Sequence, residues 1–262
     1  MKISVIGAGA MGGATVEGLL KSDFFIPSEI TVADPVQDTR DHFADKGVNV
    51  TPDNAIAAAN ADIVMVVVKP WLVEKVLKGI KDALDYSRQM LILTAAGIKS
   101  DEVIEWMEKD GQEMMPFFLV IPNIAIAFKA SMTFIVPIGA TPKQTKTICD
   151  IFDELGETHI TEERLLGAGT ALASSGIGYA MRYIRASSEG GVEMGFKASD
   201  AVKIVLQTFK GAVRLLQTTG EHPEAAIDKV TTPGGITIRG LNEMENAGFT
   251  AAVIRGLKAG LI

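Results

Sequence analysis

Two glycine-rich turns, one near each end of the chain, hold the residue types that could do chemistry. The C-terminal one reads Thr232-Pro233-Gly234-Gly235-Ile236-Thr237-Ile238-Arg239-Gly240-Leu241. Proline lacks a backbone N–H and paired glycines weaken a helix interior, yet amphipathic Ala- and Met-rich segments flank this stretch on both sides. A glycine turn that opens a helix presents bare backbone N–H groups, which suits a small carboxylate. The N-terminal turn, Gly7-Ala8-Gly9-Ala10-Met11-Gly12, offers a nucleotide phosphate the same chemistry. There Gly7 would make the bend, Gly9 would admit a pyrophosphate, and Gly12 would let helix and strand pack. The plainer alternative is a tight strand–helix turn with no ligand. Together the two turns predict an enzyme that brings a dinucleotide and a small anionic substrate together.

Asp34 is expected at the end of the second strand. A carboxylate there can accept hydrogen bonds from the adenosine ribose and would repel a 2′-phosphate, so the cofactor, NADP(H) or NAD(H), leans toward NAD(H). Arg40, a few residues on, could instead meet a phosphate, and Asp34 could simply cap a helix beginning at Pro35. Val68-Lys69-Pro70, Ala95-Ala96-Gly97 and Pro122-Asn123 fall at expected carboxyl ends of parallel strands, where open α/β sheets bind ligands. The small residues leave room for a nicotinamide, and Lys69 could face an anion or be an ordinary surface lysine. His42, His159 and His222 read as solvated structural residues and Cys149 as a small buried hydrophobe. No metal-ligand spacing or Ser/His/Asp arrangement is legible. Hydride transfer to a protonated imine needs no strong base, only orientation and exclusion of water.

These residues must be positioned by alternating strands and helices. Strands are predicted over 2–6, 29–33, 63–68, 90–94, 117–121 and 132–137, several of them continuously apolar as in parallel sheets covered on both faces. Helices are predicted over 11–21, 70–84, 99–109 and 143–155, with Ser100 capping the third and acids in its first turn. This is the pattern of a doubly wound α/β domain over 1–160. Over 161–262 strand signals vanish, and helices are expected to break at Gly195, Gly220-Glu221-His222-Pro223, Pro233-Gly234-Gly235 and Gly248. Small residues at Ala186-Ser187-Ser188 and Gly190-Gly191 would let helices approach closely. So thin a helical domain is expected to interlock with the same region of a second chain.

The 262 residues allow one large domain or two modest ones, and the net charge of −7 argues against a general nucleic-acid binder. A single cysteine excludes an intrachain disulfide framework and fits a reducing compartment. A strand begins at once with no signal-peptide pattern ahead of it, and the longest apolar run, 63–68, is too short to span a bilayer. A cytoplasmic protein without a membrane partner is the expectation.

The combination resembles the Δ1-pyrroline-5-carboxylate reductases over nearly the whole chain. The N-terminal part of the resemblance rests on Ile6 through Gly12, Thr51-Pro52-Asp53-Asn54, Val68-Lys69-Pro70 and Ala95-Ala96-Gly97-Ile98. More specific are Thr218-Thr219-Gly220-Glu221-His222-Pro223 and Val230-Thr231-Thr232-Pro233-Gly234-Gly235-Ile236-Thr237, followed by Gly240-Leu241, Glu245 and Gly248-Phe249. The resemblance implies a Rossmann-type domain followed by an all-α dimerisation domain, a homodimer through that domain and in some cases a larger ring of dimers. It implies reduction of the ring C=N bond of pyrroline-5-carboxylate to L-proline by NAD(P)H. Carried over residue by residue, Gly7, Gly9, Ala10, Met11, Gly12, Asp34, Asn54, Val68, Lys69, Pro70, Ala95, Ala96, Gly97 and Asn123 would hold the cofactor. Val230, Thr232, Gly234, Gly235, Ile236 and Thr237 would hold the carboxylate-bearing substrate, with the Thr237 hydroxyl at the ring nitrogen as hydrogen-bond partner or proton donor.

The chain departs from the family pattern in three places. Arg-Val-Met-Pro-Asn-Thr-Pro becomes Leu119-Val120-Ile121-Pro122-Asn123-Ile124-Ala125, and Ser-Gly-Ser-Gly-Pro-Ala-Tyr becomes Ala173-Ser174-Ser175-Gly176-Ile177-Gly178-Tyr179. Arg185 also stands where an acid is common. These changes keep open a related cyclic imine or another carboxylate-bearing substrate on the same fold. A non-catalytic NAD(P)-binding paralogue also remains. A 3-hydroxyacid dehydrogenase would want a lysine on the first long helix after residue 160, and 164–179 contains none.

Overall fold

The computed structural model describes residues 1–261. The alternating pattern folds as β1 (Ile3–Ile6), α1 (Ala10–Leu19), β2 (Ile30–Ala33), α2 (Gln37–Ala44), β3 (Asn49–Thr51), α3 (Asn54–Ala59), β4 (Ile63–Val66), α4 (Pro70–Ile80), β5 (Met90–Leu93), α5 (Ser100–Met107) and β6 (Phe117–Ile121). After a 3-10 turn at Ile124–Phe128 come β7 (Ser131–Ile138), α6 (Pro142–Asp153) and β8 (Gly156–Ile160), then α7 (Leu166–Gly169) and a π-helical segment, Thr170–Ser174. The strands form one sheet in the order β3-β2-β1-β4-β5-β6-β7-β8. All neighbouring pairs are parallel except β6 and β7, which run antiparallel. The link between those two is too short for a crossover helix, so the chain reverses, with Lys129 in the left-handed region at φ 56°.

Alternate residues of the central strands feed two cores, one on each face of the sheet. Ile3, Val5, Met65, Phe118 and Val120 pack with α1 and α6 residues such as Val16, Leu19, Ile148 and Phe152. Ile6, Val64, Val66, Phe117 and Leu119 pack with Val73, Leu77, Ile80, Val103 and Met107 of α4 and α5. This double burial is why the strands read as unbroken apolar runs. The glycine turn is fitted to it: a Cβ on Gly12 would stand 1.9 Å from the Gly7 carbonyl oxygen.

Three local expectations are corrected. β3 and β8 are absent from the sequence reading because they are edge strands without an apolar run: β3 is three residues long and β8 reads Gly-Glu-Thr-His-Ile. Ser100 does not cap α5. Lys99 is the N-cap, its N–H donating 2.8 Å to Glu102 Oε2, while the Ser100 N–H and hydroxyl both donate to Glu163. The acids Asp101 and Glu102 do occupy the first turn. Third, the sequence sets a domain boundary after residue 160, whereas the first compact unit is Met1–Ser175 with Leu261 and the second is Gly176–Gly260. The added segment stays with the sheet because Gly169 lies against the Phe134 ring, where a Cβ would come within 2.9 Å.

The second unit comprises α8 (Gly176–Glu193), α9 (Ala198–Thr219), α10 (Pro223–Val230), α11 (Ile236–Asn246) and α12 (Phe249–Ala259), with its breaks at the glycine and proline positions expected. Helices α8 and α9 pack through small residues: Ser188, Gly191 and Ala201 are buried, and a Cβ on Gly191 would be 3.0 Å from that of Ala201. Large apolar side chains including Met194, Phe196, Ile204, Leu206, Leu215 and Ile254 are exposed on this unit.

Gly156 starts β8 at φ 149°, and a Cβ there would lie 2.0 Å from the Ser131 carbonyl oxygen. Gly156→Ala is expected to lower stability by about 2–4 kcal/mol, since the obstructing atom is backbone and cannot rotate away. Urea unfolding measures this. An unchanged midpoint would show that the β7–β8 junction relaxes freely.

Candidate functional site

The chain leaves β1 toward β2 and β3 on one side, then returns to β4 on the other, so the carboxyl ends of β1 and β4 flank a switch point. A cleft of about 600 Å³ opens there, a size suited to a small-molecule ligand. Its walls bring together Gly7, Gly9, Ala10, Met11 and Gly12 with Asp34, Val68, Lys69, Pro70, Ala95 and Ala96.

Backbone contacts fix the turn. Gly7 takes φ 91°, and its N–H donates 2.8 Å to the Ala33 carbonyl at the end of β2. A Cβ on Gly7 would be 2.4 Å from the Val67 carbonyl oxygen, so only glycine fits between the ends of β1 and β4. Gly9, the N-cap of α1, faces open space, with no atom within 4 Å of a built Cβ. The first-turn N–H groups of α1 have no intrahelical acceptor, and no acid stands in that turn. The resulting cradle fits a phosphate: positive helix end, free donors, and room for close approach.

Asp34 braces the same turn. It is 7% exposed; Oδ2 accepts the Ala8 N–H at 2.8 Å and Oδ1 accepts the Val36 N–H at 2.9 Å. It is thus a turn-forming carboxylate and not the cap of α2, which begins at Gln37 with Val36 as N-cap. Arg40 points its guanidinium at the Asp34 carbonyl oxygen, 2.6 Å away, and at Gln37. Lys69 is the exposed N-cap of α4, with Pro70 as the first helical residue.

Three expected cofactor residues lie outside this cleft's walls. Asn54 is the first residue of α3, after the Asp53 cap. Gly97 lines the adjoining cavity, which shares Ala95, Ala96 and Ile121 with the cleft and has the Ser100–Glu163 link in its wall. Asn123 is buried, its N–H donating 3.0 Å to Ser131 Oγ and its Oδ1 accepting the Ala125 N–H at 3.0 Å. Cleft residues beyond the expected cofactor set are Pro35, Val36, Val67, Leu72, Thr94, Ile121, Pro122 and Ser174. All but Ser174 follow strand ends already recognised, a signal that extends to them. Ser174 comes from the π-helical segment, which has no sequence periodicity to betray it. Of the departures from the family pattern, Leu119 is 2% exposed inside the apolar core, Ile124 and Ala125 are outside the cleft walls, and Ser174 stands in them.

In the helical unit, the Gly235 N–H closes a turn onto the Thr232 carbonyl at 2.8 Å, and Gly234 takes φ 70°. Gly235 is the N-cap of α11, and a Cβ there would be 2.6 Å from Thr232 Oγ1. Val230, Thr232, Gly234, Ile236 and Thr237 are exposed around it, and the first turn carries no acid. Nearby in sequence, Lys229 pairs with Glu221 Oε1 while Glu221 Oε2 is buried with no partner among the described residues. The histidines hold structure. His42 Nε2 is 3.1 Å from Glu17 Oε1, His159 meets the Phe134 ring edge-on, and His222 Nδ1 caps α10. Burial works to raise the Glu17 pKa, but Lys46 and His42 bring its carboxyl below the ordinary range. Among the described residues no three His, Cys, Asp or Glu side chains stand together to hold a metal.

Residues 163–261 match the family model described as pyrroline-5-carboxylate reductase dimerisation, and residues 2–97 match NADP oxidoreductase coenzyme F420-dependent. A pyrroline-5-carboxylate reductase of Methanosarcina acetivorans is 33% identical over 98% of this chain and 94% of its own length. That of Escherichia coli is 31% identical with the same coverage, while pyrroline-5-carboxylate reductase 1 of Dictyostelium discoideum is 35% identical and this chain spans 48% of its length. The Streptococcus pyogenes enzyme superposes with TM-score 0.87 at 28% identity, covering 99% of this chain and 96% of that one. A Plasmodium falciparum pyrroline carboxylate reductase with NADP bound superposes at TM-score 0.89 and 24% identity, covering 99% and 95%. With relatives more than 30% identical over nearly the whole of both chains, and its C-terminal region matched by the dimerisation model, the chain belongs to the pyrroline-5-carboxylate reductase family.

Proposed function

We propose that this protein reduces the ring C=N bond of 1-pyrroline-5-carboxylate to give L-proline, with NAD(P)H as hydride donor. The observation that carries the reading is the cradle at the switch point, with Gly9 open to the cleft and the first turn of α1 free of acids. The nicotinamide cofactor, when bound, supplies the hydride. The chain's part is to bind and orient. The N–H groups of Ala10, Met11 and Gly12 meet the pyrophosphate, and the Lys69 ammonium at the lip offsets its charge. Asn54, Val68, Pro70, Ala95, Ala96, Gly97 and Asn123 complete the cofactor set. The turn formed by Val230, Thr232, Gly234, Gly235 and Ile236 holds the substrate carboxylate on backbone donors. The Thr237 hydroxyl would serve the ring nitrogen of the protonated imine, as hydrogen-bond partner or proton donor. Because Leu119 lies in the core and Ile124 and Ala125 stand outside the cleft, these three departures leave the cleft walls unchanged.

The assembly proposed is a homodimer through the helical domain, with a ring of dimers as its larger form. The exposed apolar residues of that unit support it, being more than a lone helical unit would leave to water. Among the described residues no helix is long and apolar enough to cross a membrane. The lone cysteine supports a reducing compartment, and the cytoplasm is the proposed location.

Asp34 supports NADH as the preferred donor, since a carboxylate at the end of β2 repels a 2′-phosphate. Asp34→Ser is expected to raise the NADPH to NADH ratio of kcat/KM about tenfold or more. The ratio is the readout because loss of the Ala8 brace weakens both cofactors alike. An unchanged ratio would remove Asp34 from cofactor discrimination. Thr237→Ala is expected to lower kcat on the order of 100-fold with little change in cofactor Kd. Equal losses in both would make the hydroxyl structural. The direct test is pure protein with pyrroline-5-carboxylate and either cofactor, followed by cofactor absorbance. No oxidation with either one overturns the reading, and binding without turnover favours a non-catalytic paralogue.

A further inference from the structure

Thr94 follows β5 immediately and stands in the cleft wall beside Ala95 and Ala96. Its N–H donates 2.9 Å to the Val66 carbonyl, which holds it against the end of β4. Its hydroxyl oxygen, however, is buried and has no hydrogen-bond partner among the described residues. Buried hydroxyls are nearly always paired, because burying one alone sacrifices its hydrogen bonds to water. The buried hydroxyls of Thr15, Thr133 and Thr170 all follow that rule, reaching Met11 O, Ser131 Oγ and Leu166 O. Valine would fill the same space at Thr94 without the penalty, so the hydroxyl weakens the fold in return for nothing within the chain. Ser4 Oγ is also unpaired, but Ser4 is fully buried within β1 and lies outside the cleft walls. Thr94 differs in being half-buried at the cleft, so a turn about χ1 can carry its hydroxyl out of the buried position it occupies.

Its place in the sheet says which part of a ligand it would meet. Asp34 closes β2 on one side of the switch point and Thr94 closes β5 on the other. A dinucleotide with its adenosine over β2 and its pyrophosphate on the glycine turn extends its second nucleoside over β4 and β5. We propose that Thr94 is a cofactor-positioning residue whose hydroxyl rotates into the cleft and hydrogen-bonds the nicotinamide nucleoside half of the cofactor. This rests on the reading of the cleft as a nicotinamide-cofactor site.

The test compares Thr94→Val, Thr94→Ser and Ser4→Ala with the unaltered protein, by calorimetric titration of NADH and NADPH and by thermal unfolding. Thr94→Val is expected to be at least as stable as the parent yet to bind the preferred cofactor about tenfold more weakly, which is ~1.4 kcal/mol. Thr94→Ser should bind as the parent does. Ser4→Ala should gain stability without changing binding. Unchanged binding by Thr94→Val overturns the proposal, as does a fall in its Tm, which would reveal a structural partner. Equal weakening by serine and valine also overturns it, since shape and not the hydroxyl would then matter. If the unaltered protein binds neither cofactor, both the proposal and the functional reading fail; if it binds and only Thr94→Val is silent, the functional reading stands.

Discussion

The closest backbone approach at the switch point, where Gly12 of the first helix rides against the carbonyl of Gly7, sets the geometry on which the cleft depends. No side chain fits between them, and the Gly7 Cα face is closed in turn by the Val67 carbonyl. With those gaps shut, α1 begins directly above the end of β1 and its unpaired N–H groups look into the crevice. The Ala8 N–H would otherwise compete for a ligand, but Asp34 takes it. The turn is therefore held from three sides by atoms of β2, β4 and its own helix, so little remains to be ordered when an anion arrives.

The two compact units differ in how they bury apolar surface. The sheet unit encloses a core on each face, and its central strands are almost wholly inaccessible. The helical unit buries little beyond the small residues where α8 meets α9, and its large aliphatic and aromatic side chains face outward. Its internal contacts alone give a thin core. Partnership with a second copy would do for it what the helices on both faces do for the sheet.

Much of this was legible in the sequence because it follows from composition along short windows. Unbroken apolar strands reveal burial on two faces, and glycines and prolines mark every break between α8 and α12. What could not be read depends on contacts between distant residues or on polar edges. β3 and β8 have too few apolar side chains to stand out. Ser100 has the right chemistry to cap its helix, yet it is drawn off by Glu163, sixty-three positions away. Asp34 was recognisable as a carboxylate at a strand end, but its engagement with Ala8 and Val36 is set by where the glycine turn lands. Leu119 stood out as a departure from the family pattern and proved to be core, a distinction that burial alone makes.

The reversal at Lys129 has a consequence for how the sheet can change. Up to β6 every strand delivers its following loop to the edge that carries the cleft, so lengthening any of those loops alters the ligand's surroundings. From β7 onward the direction is inverted, and the loop from β7 into α6, with exposed Gly139 and Thr141, emerges at the opposite edge. That edge of the sheet lies away from the cleft. It is where new sequence, a partner-binding insert or an attached label can accumulate while the crevice stays as it is.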